Sequence, residues 1–150
     1  MEPAELIRRL RQAQRLALDT VVFIYTFERH PLYGPLAQTV FRALSTGQCQ
    51  AIVSVLALGE TLVGAKKAGD ARLASDYRTV FKYFPGLKIV DVDWAVVEWA
   101  AEFRACYGIP MPDAIHLGTA KAYGARIFVT NDAQLKRVAE LEILLLSEFL

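Results

Sequence analysis

Short apolar runs alternate with helix-like patterns along the whole chain. Five of these runs show no regular alternation of apolar and polar residues, which is typical of strands buried on both faces of a sheet. They are Leu16–Asp19, Gln50–Leu56, Leu87–Val92, Ala125–Thr130 and Glu142–Ser147. The stretch VVFIYTF, directly after the first run, is predicted either to extend that strand or to start a helix.

Segments with helical periodicity lie between the apolar runs. They are Pro35–Ser45, Ala57–Ala68, Asp70–Phe84, Trp94–Tyr107 and Pro112–Tyr123, with a shorter turn of helix at Ala133–Glu140. Glycine and proline separate these segments from the strands. Because strands separated by helices favour parallel pairing, we expect an α/β fold. The predicted architecture is a three-layer α/β/α sandwich around a mostly parallel five-stranded sheet.

The size and composition of the chain fit one domain without a membrane span. The sequence has 150 residues, of which 54% are hydrophobic, yet no apolar run approaches the roughly 20 residues that a span needs. The N-terminal stretch MEPAELIRRLRQAQ has the pattern of a charged amphipathic helix and lacks the apolar core of a signal peptide. We therefore expect a single domain over residues 1–150, located in the cytoplasm.

The charge balance and the cysteines exclude several classes of function. With 17 Lys and Arg against 16 Asp and Glu, the net charge is +1, so bulk charge does not mark a nucleic-acid-binding protein. Cys49 and Cys106 match neither a disulfide framework nor a zinc ligand set, and we interpret both as reduced thiols of the core. No glycine-rich phosphate loop or dinucleotide fingerprint is present.

Four acidic residues fall near the place where an open parallel sheet binds its ligands, beyond the carboxyl ends of the strands. Asp19 ends the first predicted strand, and Asp132 follows the fourth. Asp113 lies in the first turn of a helix, and Glu60 lies about one turn into the helix after the second strand. Four anions in one cleft repel one another, and hard cations such as Mg²⁺ or Mn²⁺ relieve that repulsion. The acids therefore predict a carboxylate metal site.

Three of these acids also have a purely local explanation. Asp19 is a good helix N-cap, and Asp113 follows Pro112 where it complements the helix dipole. Asp132 is the last of three consecutive capping residues, TND, at the end of the stretch RIFVTND, and one helix needs only one such cap. The two residues left over are suggestive of a further task.

Glu60 has no equally simple explanation. Helical spacing places it on one stripe with Leu56 and Val63. A carboxylate on an apolar stripe is costly unless it is paired or bound to a cation. The alternative is a position at the helix edge that turns Glu60 into solvent beside Lys66 and Lys67.

Four segments, taken in order, resemble the PIN-domain ribonucleases, which include the VapC-type toxins of bacterial and archaeal toxin–antitoxin pairs. The segments are LALDTVVFIY, SVLALGETLVG, MPDAIHLGTAKAYGARIFVTND and EILLLS. Each is short, and their order, spacing and predicted structural context make the combination specific. The resemblance covers almost the whole chain. It departs at Val21, where the family often has Asn, and in the extra helix-like segment before the first strand.

The resemblance implies a Mg²⁺- or Mn²⁺-dependent endoribonuclease that forms a homodimer and, as a toxin, binds a small protein antitoxin. The four acidic positions of the family, as catalytic residues and metal ligands, fall on Asp19, Glu60, Asp113 and Asp132. The polar residue that members often carry just before the last acid falls on Thr130 or Asn131.

Two more residues are candidates for supporting or substrate contacts. His116 lies three positions after Asp113, on the same helical face, and is predicted either to contact Asp113 or the substrate or, more simply, to be a packed or partly exposed helix residue. Arg104 precedes the loop that leads to Asp113, and we favour it for a contact with an RNA phosphate.

The helix predicted at Asp70–Phe84 mixes aromatic residues with charged ones. Its aromatic residues are Tyr77, Phe81 and Tyr83. Helices of this kind often bury their aromatic residues against a partner, so we expect this helix to contribute to a dimer interface.

The sequence leaves more than one class of function open. The first is the ribonuclease, either as a toxin or as a stand-alone RNA-processing enzyme. The second is a non-catalytic scaffold of the same fold that binds RNA or a partner protein, and the retention of all four acids argues against it. A phospho-acceptor domain would need an acceptor Asp after the third strand and a Lys after the last, and the sequence has neither in the right place.

Overall fold

A computed structural model, which describes residues 3–150, shows the expected alternation of strands and helices. The strands are β1 (Arg15–Leu18), β2 (Gln50–Ser54), β3 (Leu87–Val90), β4 (Ile127–Thr130) and β5 (Glu142–Leu145). The α-helices are α1 (Pro3–Ala13), α2 (Thr20–Phe27), α3 (Gly34–Ser45), α4 (Val55–Lys67), α5 (Ala71–Tyr83), α6 (Trp94–Tyr107) and α7 (Met111–Ala122). Two 3₁₀ helices follow β4 and β5, at Ala133–Arg137 and Leu146–Phe149. Within residues 3–150, none of the helices combines the length and apolarity needed to cross a bilayer.

The five strands form one sheet in the order β3-β2-β1-β4-β5, and every neighbouring pair is parallel. The register pairs Ala17 of β1 with Ile52 on one side and Phe128 on the other. The carboxyl ends of β2, β1 and β4 therefore lie side by side at one edge. The predicted parallel sheet is confirmed.

The core has two parts, one on each face of the sheet. Leu16 and Leu18 of β1 pack on one face with residues of α1, α2, α3 and α5. Ala17, between them, packs on the other face with residues of α6 and α7. Both faces are therefore covered, which confirms the three-layer sandwich and explains why the strands show no polar alternation.

The predicted N-terminal helix is present as α1. Its apolar face carries Leu6 and Leu10, which are fully buried, and it contacts α3 and the last 3₁₀ helix. Met1 and Glu2, part of the predicted helical pattern, lie outside the described residues. The extra segment before β1 therefore completes one layer of the domain.

Helix caps set the ends of β1 and β2. VVFIYTF belongs to α2, because the side chain of Asp19 accepts a hydrogen bond from the backbone N–H of Thr20 and caps the helix. The strand predicted at Gln50–Leu56 ends at Ser54, whose hydroxyl caps α4 by accepting a hydrogen bond from the backbone N–H of Leu56.

The aromatic residues of α5 mostly face the core of their own chain. Tyr77 is fully buried and donates a hydrogen bond from its hydroxyl to Glu28, and Phe81 stacks on Phe23 with ring centroids 4.4 Å apart. Tyr83 is 74% exposed. The prediction that the aromatic residues of α5 contribute to a dimer interface is thus wrong for Tyr77 and Phe81. Both side chains are buried in the core of their own chain.

The two cysteines differ in their surroundings, although both are free thiols. Cys49 is buried as expected, and burial raises the pKa of its thiol to about 11. Cys106 is exposed, which corrects the prediction of a core position, and a hydrogen bond to Glu102 raises its pKa. Neither thiol has the lowered pKa of an activated nucleophile.

Candidate active site

Asp19 lies where β1 ends and α2 begins, and only 7% of its surface is exposed. One carboxylate oxygen, Oδ1, accepts the backbone N–H of Thr20 at 2.8 Å. The other, Oδ2, accepts the hydroxyl of Thr130 at 2.7 Å. Burial raises the pKa of Asp19 despite these hydrogen bonds. Asp19 therefore caps a helix and is also a buried carboxylate held by two donors.

Thr130 connects the acids that follow β1 and β4. It is fully buried at the end of β4, and its hydroxyl oxygen also accepts the backbone N–H of Asp132 at 3.2 Å. Asp132 is exposed and caps the next 3₁₀ helix by accepting the backbone N–H of Gln134 at 3.0 Å. Thr130, rather than its neighbour, is the polar residue bonded to the acids.

Asn131 has a different set of partners. Its side-chain oxygen accepts the backbone N–H of Ser147 at 2.9 Å, and its amide donates to the hydroxyl of Tyr25 at 3.3 Å. It therefore joins α2 to the last 3₁₀ helix. Thr130 at the end of β4 and the two polar residues after it each have a separate structural task, so the expectation that two of them are left over is wrong.

Asp113 is half-buried in the first turn of α7 and has no hydrogen-bond partner among residues 3–150. Burial raises its pKa, and the negative charge of Asp19 raises it further. The charges of Asp132 and Glu60 act in the same direction with smaller effects. The four predicted acids are therefore electrostatic neighbours, although they belong to different parts of the chain.

Glu60 is bound through one oxygen to two other elements. Its Oε1 accepts the hydroxyl of Thr20 at 2.6 Å and lies 2.6 Å from Nε2 of His116. The hydroxyl of Thr20 and Nε2 of His116 are themselves 3.2 Å apart. The hydrogen bond from His116 lowers the pKa of Glu60. Glu60 is thus an ionised carboxylate joined to the start of α2 and to α7.

The stripe of α4 that contains Glu60 is not the buried face of the helix. Ala57, Thr61 and Ala65 form that face, while 53% of Val63 is exposed. This corrects the prediction of an apolar stripe. Glu60 lies at the helix edge, as the alternative proposed, but its side chain points to His116 and Thr20.

His116 is 2% exposed on α7. Burial alone would lower the pKa of its imidazole, but the hydrogen bond to Glu60 and the charges of Asp19 and Glu60 outweigh burial and raise it. Its Nδ1 is buried without a hydrogen-bond partner among the described residues. The expectation of a packed residue is right, while its hydrogen bond goes to Glu60 and not to Asp113. Sequence analysis missed the role of Thr20, although it directly follows the first acid.

Arg104 has no bond to any of the acids in the described part of the chain. Its guanidinium donates to the carbonyl oxygens of Gly108 at 3.2 Å and Ile109 at 3.3 Å, at the end of α6. The side chain is exposed. Its contact with an RNA phosphate stays a prediction.

The four carboxylates have the chemistry that Mg²⁺ or Mn²⁺ requires. All are hard oxygen donors, and the pKa of Asp113 is raised first by burial and then by its acidic neighbours, whose repulsion a cation relieves. Among residues 3–150, however, no three acidic, histidine or cysteine side chains are already grouped so that they could hold a metal ion. The donor set therefore fits such a cation in its chemistry, although the carboxylates are not yet gathered around one point.

Comparison with proteins of known structure identifies the fold. VapBC2 from Rickettsia felis, solved with a DNA fragment from its promoter, is 21% identical, covers 87% of this chain and 97% of its own, and has a TM-score of 0.70. A toxin–antitoxin complex from Klebsiella pneumoniae is 20% identical over 87% and 97%, with a TM-score of 0.66. VapC20 from Mycobacterium tuberculosis, a toxin that cleaves the sarcin–ricin loop, is 15% identical over 83% and 95%, with a TM-score of 0.67.

Of the two sequence comparisons, the one against protein families agrees with this fold. No curated protein matches the sequence. The PIN domain family matches residues 16–141, from the second residue of β1 to the residue before β5, and thus most of the chain. On this match, the chain belongs to the PIN-domain family.

Proposed function

We propose that this PIN domain is an endoribonuclease that requires Mg²⁺ or Mn²⁺ and acts as the toxin of a toxin–antitoxin pair. The observation that supports this proposal most is the relation between Asp19 and Asp113. They lie on different elements beyond the carboxyl edge of the sheet, and the charge of Asp19 raises the pKa of Asp113. Two carboxylates that repel each other at this edge are a suitable pair of ligands for a hard cation.

The four acidic residues are the proposed ligands of the cation. In the proposal, Asp19 and Asp113 are the central ligands, and Glu60 and Asp132 complete the shell directly or through water. A bound divalent ion lowers the pKa of a coordinated water and neutralises charge that builds on the phosphodiester. Thr130 keeps the buried carboxylate of Asp19 in one orientation by donating its hydroxyl at 2.7 Å. No histidine base is required.

RNA is the proposed substrate for two reasons. The chain belongs to the PIN family, and a protein of the same fold, VapC20, cleaves the sarcin–ricin loop. With a net charge of +1, the protein relies on local groups to hold RNA. Arg104 is the basic residue we propose for one phosphate contact, since it lies at the end of α6 before the loop to α7.

The proposed partners follow from the same comparison. A structure of this fold from Klebsiella pneumoniae is a toxin–antitoxin complex, which supports a small protein antitoxin as a partner. We also propose a homodimer and a cytoplasmic location. The two free thiols fit a reducing compartment.

Cleavage of RNA by the purified protein tests this function. We expect cleavage with Mn²⁺ or Mg²⁺, loss of cleavage in EDTA, and recovery when Mn²⁺ is added in excess. Asp19→Asn and Asp113→Asn should each reduce the rate by about 100-fold or more, because each removes a ligand charge. Asp76→Asn, on the exposed side of α5, is the matched control and should cleave normally. Cleavage that persists in EDTA, or in both site variants, contradicts the proposal.

One observation favours the non-catalytic scaffold as a second candidate. No three candidate ligands are grouped around one point in the described part of the chain. A scaffold would bind RNA or a protein partner without cleaving RNA at any Mn²⁺ concentration. The same assay therefore separates the two functions.

A further inference from the structure

We propose that His116 is a positioning residue that, together with Thr20, holds Oε1 of Glu60 and leaves Oε2 as the oxygen that this glutamate presents to a divalent cation. This inference rests on the proposed metal-dependent function. It assigns tasks to two residues that do not themselves bind the cation.

The hydrogen bonds at Glu60 all converge on one oxygen. Oε1 receives the hydroxyl of Thr20 and Nε2 of His116, each at 2.6 Å. Among residues 3–150, Oε2 has no hydrogen-bond partner. The side chain of Glu60 is 36% exposed, so Oε2 is not sealed in the core. Glu60 can therefore offer one oxygen to a cation while both of its existing bonds stay in place.

The direction of these bonds fixes the proton on His116. An ionised carboxylate only accepts hydrogen bonds, so Thr20 donates its hydroxyl proton and Nε2 of His116 donates an N–H. Nδ1 is buried without a partner, so among the described residues the ring forms its polar contacts through Nε2 alone. The polar contacts of the imidazole are thus with Glu60 and Thr20.

The packing of α7 makes His116 a rigid donor. Gly118, two residues later, lies so close to α6 that an added Cβ would be 2.5 Å from the carbonyl oxygen of Val96. The side chain of His116 is 1% exposed, so the rotamer of its imidazole is limited by surrounding atoms. A free glutamate side chain loses conformational entropy when it is fixed in one rotamer. Because His116 and Thr20 already fix the side chain of Glu60, cation binding does not have to supply this entropy cost.

A purely structural ion pair between α4 and α7 would have the same contacts, so the test must separate positioning from stability. His116→Gln and His116→Asn form a matched pair, since both replace the imidazole with an uncharged amide. The amide nitrogen of Gln is as many bonds from Cα as Nε2 of His and can keep the bond to Glu60. The amide nitrogen of Asn is one bond shorter and falls short of Oε1.

The experiment measures Mn²⁺ affinity by the electron paramagnetic resonance signal of free Mn²⁺, with thermal unfolding in EDTA as a check of folding. We expect His116→Gln to bind within about threefold of the unmodified protein, and His116→Asn to bind about 10–100-fold more weakly. Thr20→Val, which removes the second donor, should also weaken binding and serves if a His116 variant does not fold. His30→Asn, in the loop before α3, is the control with unchanged affinity.

The outcomes separate this inference from the proposed function. If the unmodified protein binds Mn²⁺ and His116→Asn binds it equally well, the inference is overturned while the proposed function stands. Equal losses of Mn²⁺ affinity in His116→Gln and His116→Asn also overturn the inference. Affinity would then not depend on whether the side chain at position 116 reaches Glu60. If the unmodified protein neither binds Mn²⁺ nor cleaves RNA, the proposed function fails and this inference with it.

Discussion

The hydroxyl of Thr130 donates a hydrogen bond to the carboxylate of Asp19 at 2.7 Å, although 111 positions separate the two residues in the chain. β1 and β4 are neighbours in the sheet, so their last residues meet at the same edge. Thr130 also accepts the backbone N–H of Asp132 at 3.2 Å. One buried hydroxyl therefore fixes the geometry between the acids of two strands.

Thr130→Val tests this connection, because valine has nearly the same shape but no hydroxyl. We expect Mn²⁺-dependent RNA cleavage to fall about 10–100-fold, since Asp19 loses the group that orients it. The free energy of unfolding should fall by about 1–3 kcal/mol, the usual cost of leaving a buried polar group unpaired. Thr79→Val on the exposed face of α5 is the control. Normal cleavage by Thr130→Val would show that the orientation of Asp19 does not depend on this bond.

Asp113→Asn should stabilise the metal-free protein even though it abolishes cleavage. The substitution removes the repulsion with Asp19 that raises the pKa of Asp113. Because Asp113 is only half-buried, solvent limits the gain in unfolding free energy to about 1 kcal/mol or less. Added Mn²⁺ should raise the melting temperature of the unmodified protein but not that of the variant. A variant that is less stable than the unmodified protein in EDTA would contradict the repulsion.

The stability of the metal-free protein should increase as the pH is lowered from about 8 to about 6.5, the unfolded pKa of histidine. Folding raises the pKa values of Asp19 and Asp113, so each carboxyl favours the folded state as the pH falls through its folded pKa. The raised pKa of His116 acts in the same direction, since the stability it adds is lost as the pH rises through its folded pKa.

Glu60 limits this trend on the acidic side. Folding lowers its pKa, so its contribution is present above its unfolded pKa and is lost only as the pH falls through the lower folded value. Melting temperatures in EDTA check both trends, and the pH dependence should be weaker in Asp113→Asn. A melting temperature that rises steadily with pH between about 6.5 and 8 would contradict the assigned directions.

The contact between α6 and α7 also bears on the site, because α7 carries both Asp113 and His116. Gly118→Ala places a Cβ where it would be 2.5 Å from the carbonyl oxygen of Val96, so the helices must separate. We expect a loss of about 1–3 kcal/mol in unfolding free energy, together with weaker cleavage. Gly64→Ala, which has no atom within 4 Å of the added Cβ, should instead stabilise α4 by up to about 1 kcal/mol. Equal effects of the two variants, measured by chemical denaturation, would contradict this account.

The fold could be predicted from the sequence because its strands are buried on both faces. Leu16, Ala17 and Leu18 are all apolar, since each face of β1 has a helical layer against it. The pattern could not give the strand order, because pairing of β1 with β4 depends on crossovers over much of the chain. It also placed the end of β2 two residues late, since the capping role of Ser54 competes with a continuous apolar run.

The sequence predicted which acidic residues meet at the site. It did not predict which side chains form hydrogen bonds with them. Residues at the ends of neighbouring parallel strands must meet, which brings Asp19 near Asp132. The bond between Glu60 and His116 joins α4 to α7, and the rotation of each helix about its axis is set by packing that the sequence pattern does not specify. For the same reason the sequence left open whether Glu60 lies on an apolar stripe or at the edge of α4, where the structure places it.

A crystal structure of the protein with Mn²⁺, read from the anomalous scattering of the metal, tests the central claim most directly. We predict an anomalous peak at the carboxyl edge of the sheet, with oxygens of both Asp19 and Asp113 at about 2.0–2.3 Å. A peak elsewhere, or no peak there at saturating Mn²⁺, would contradict the claim that these carboxylates form a metal site.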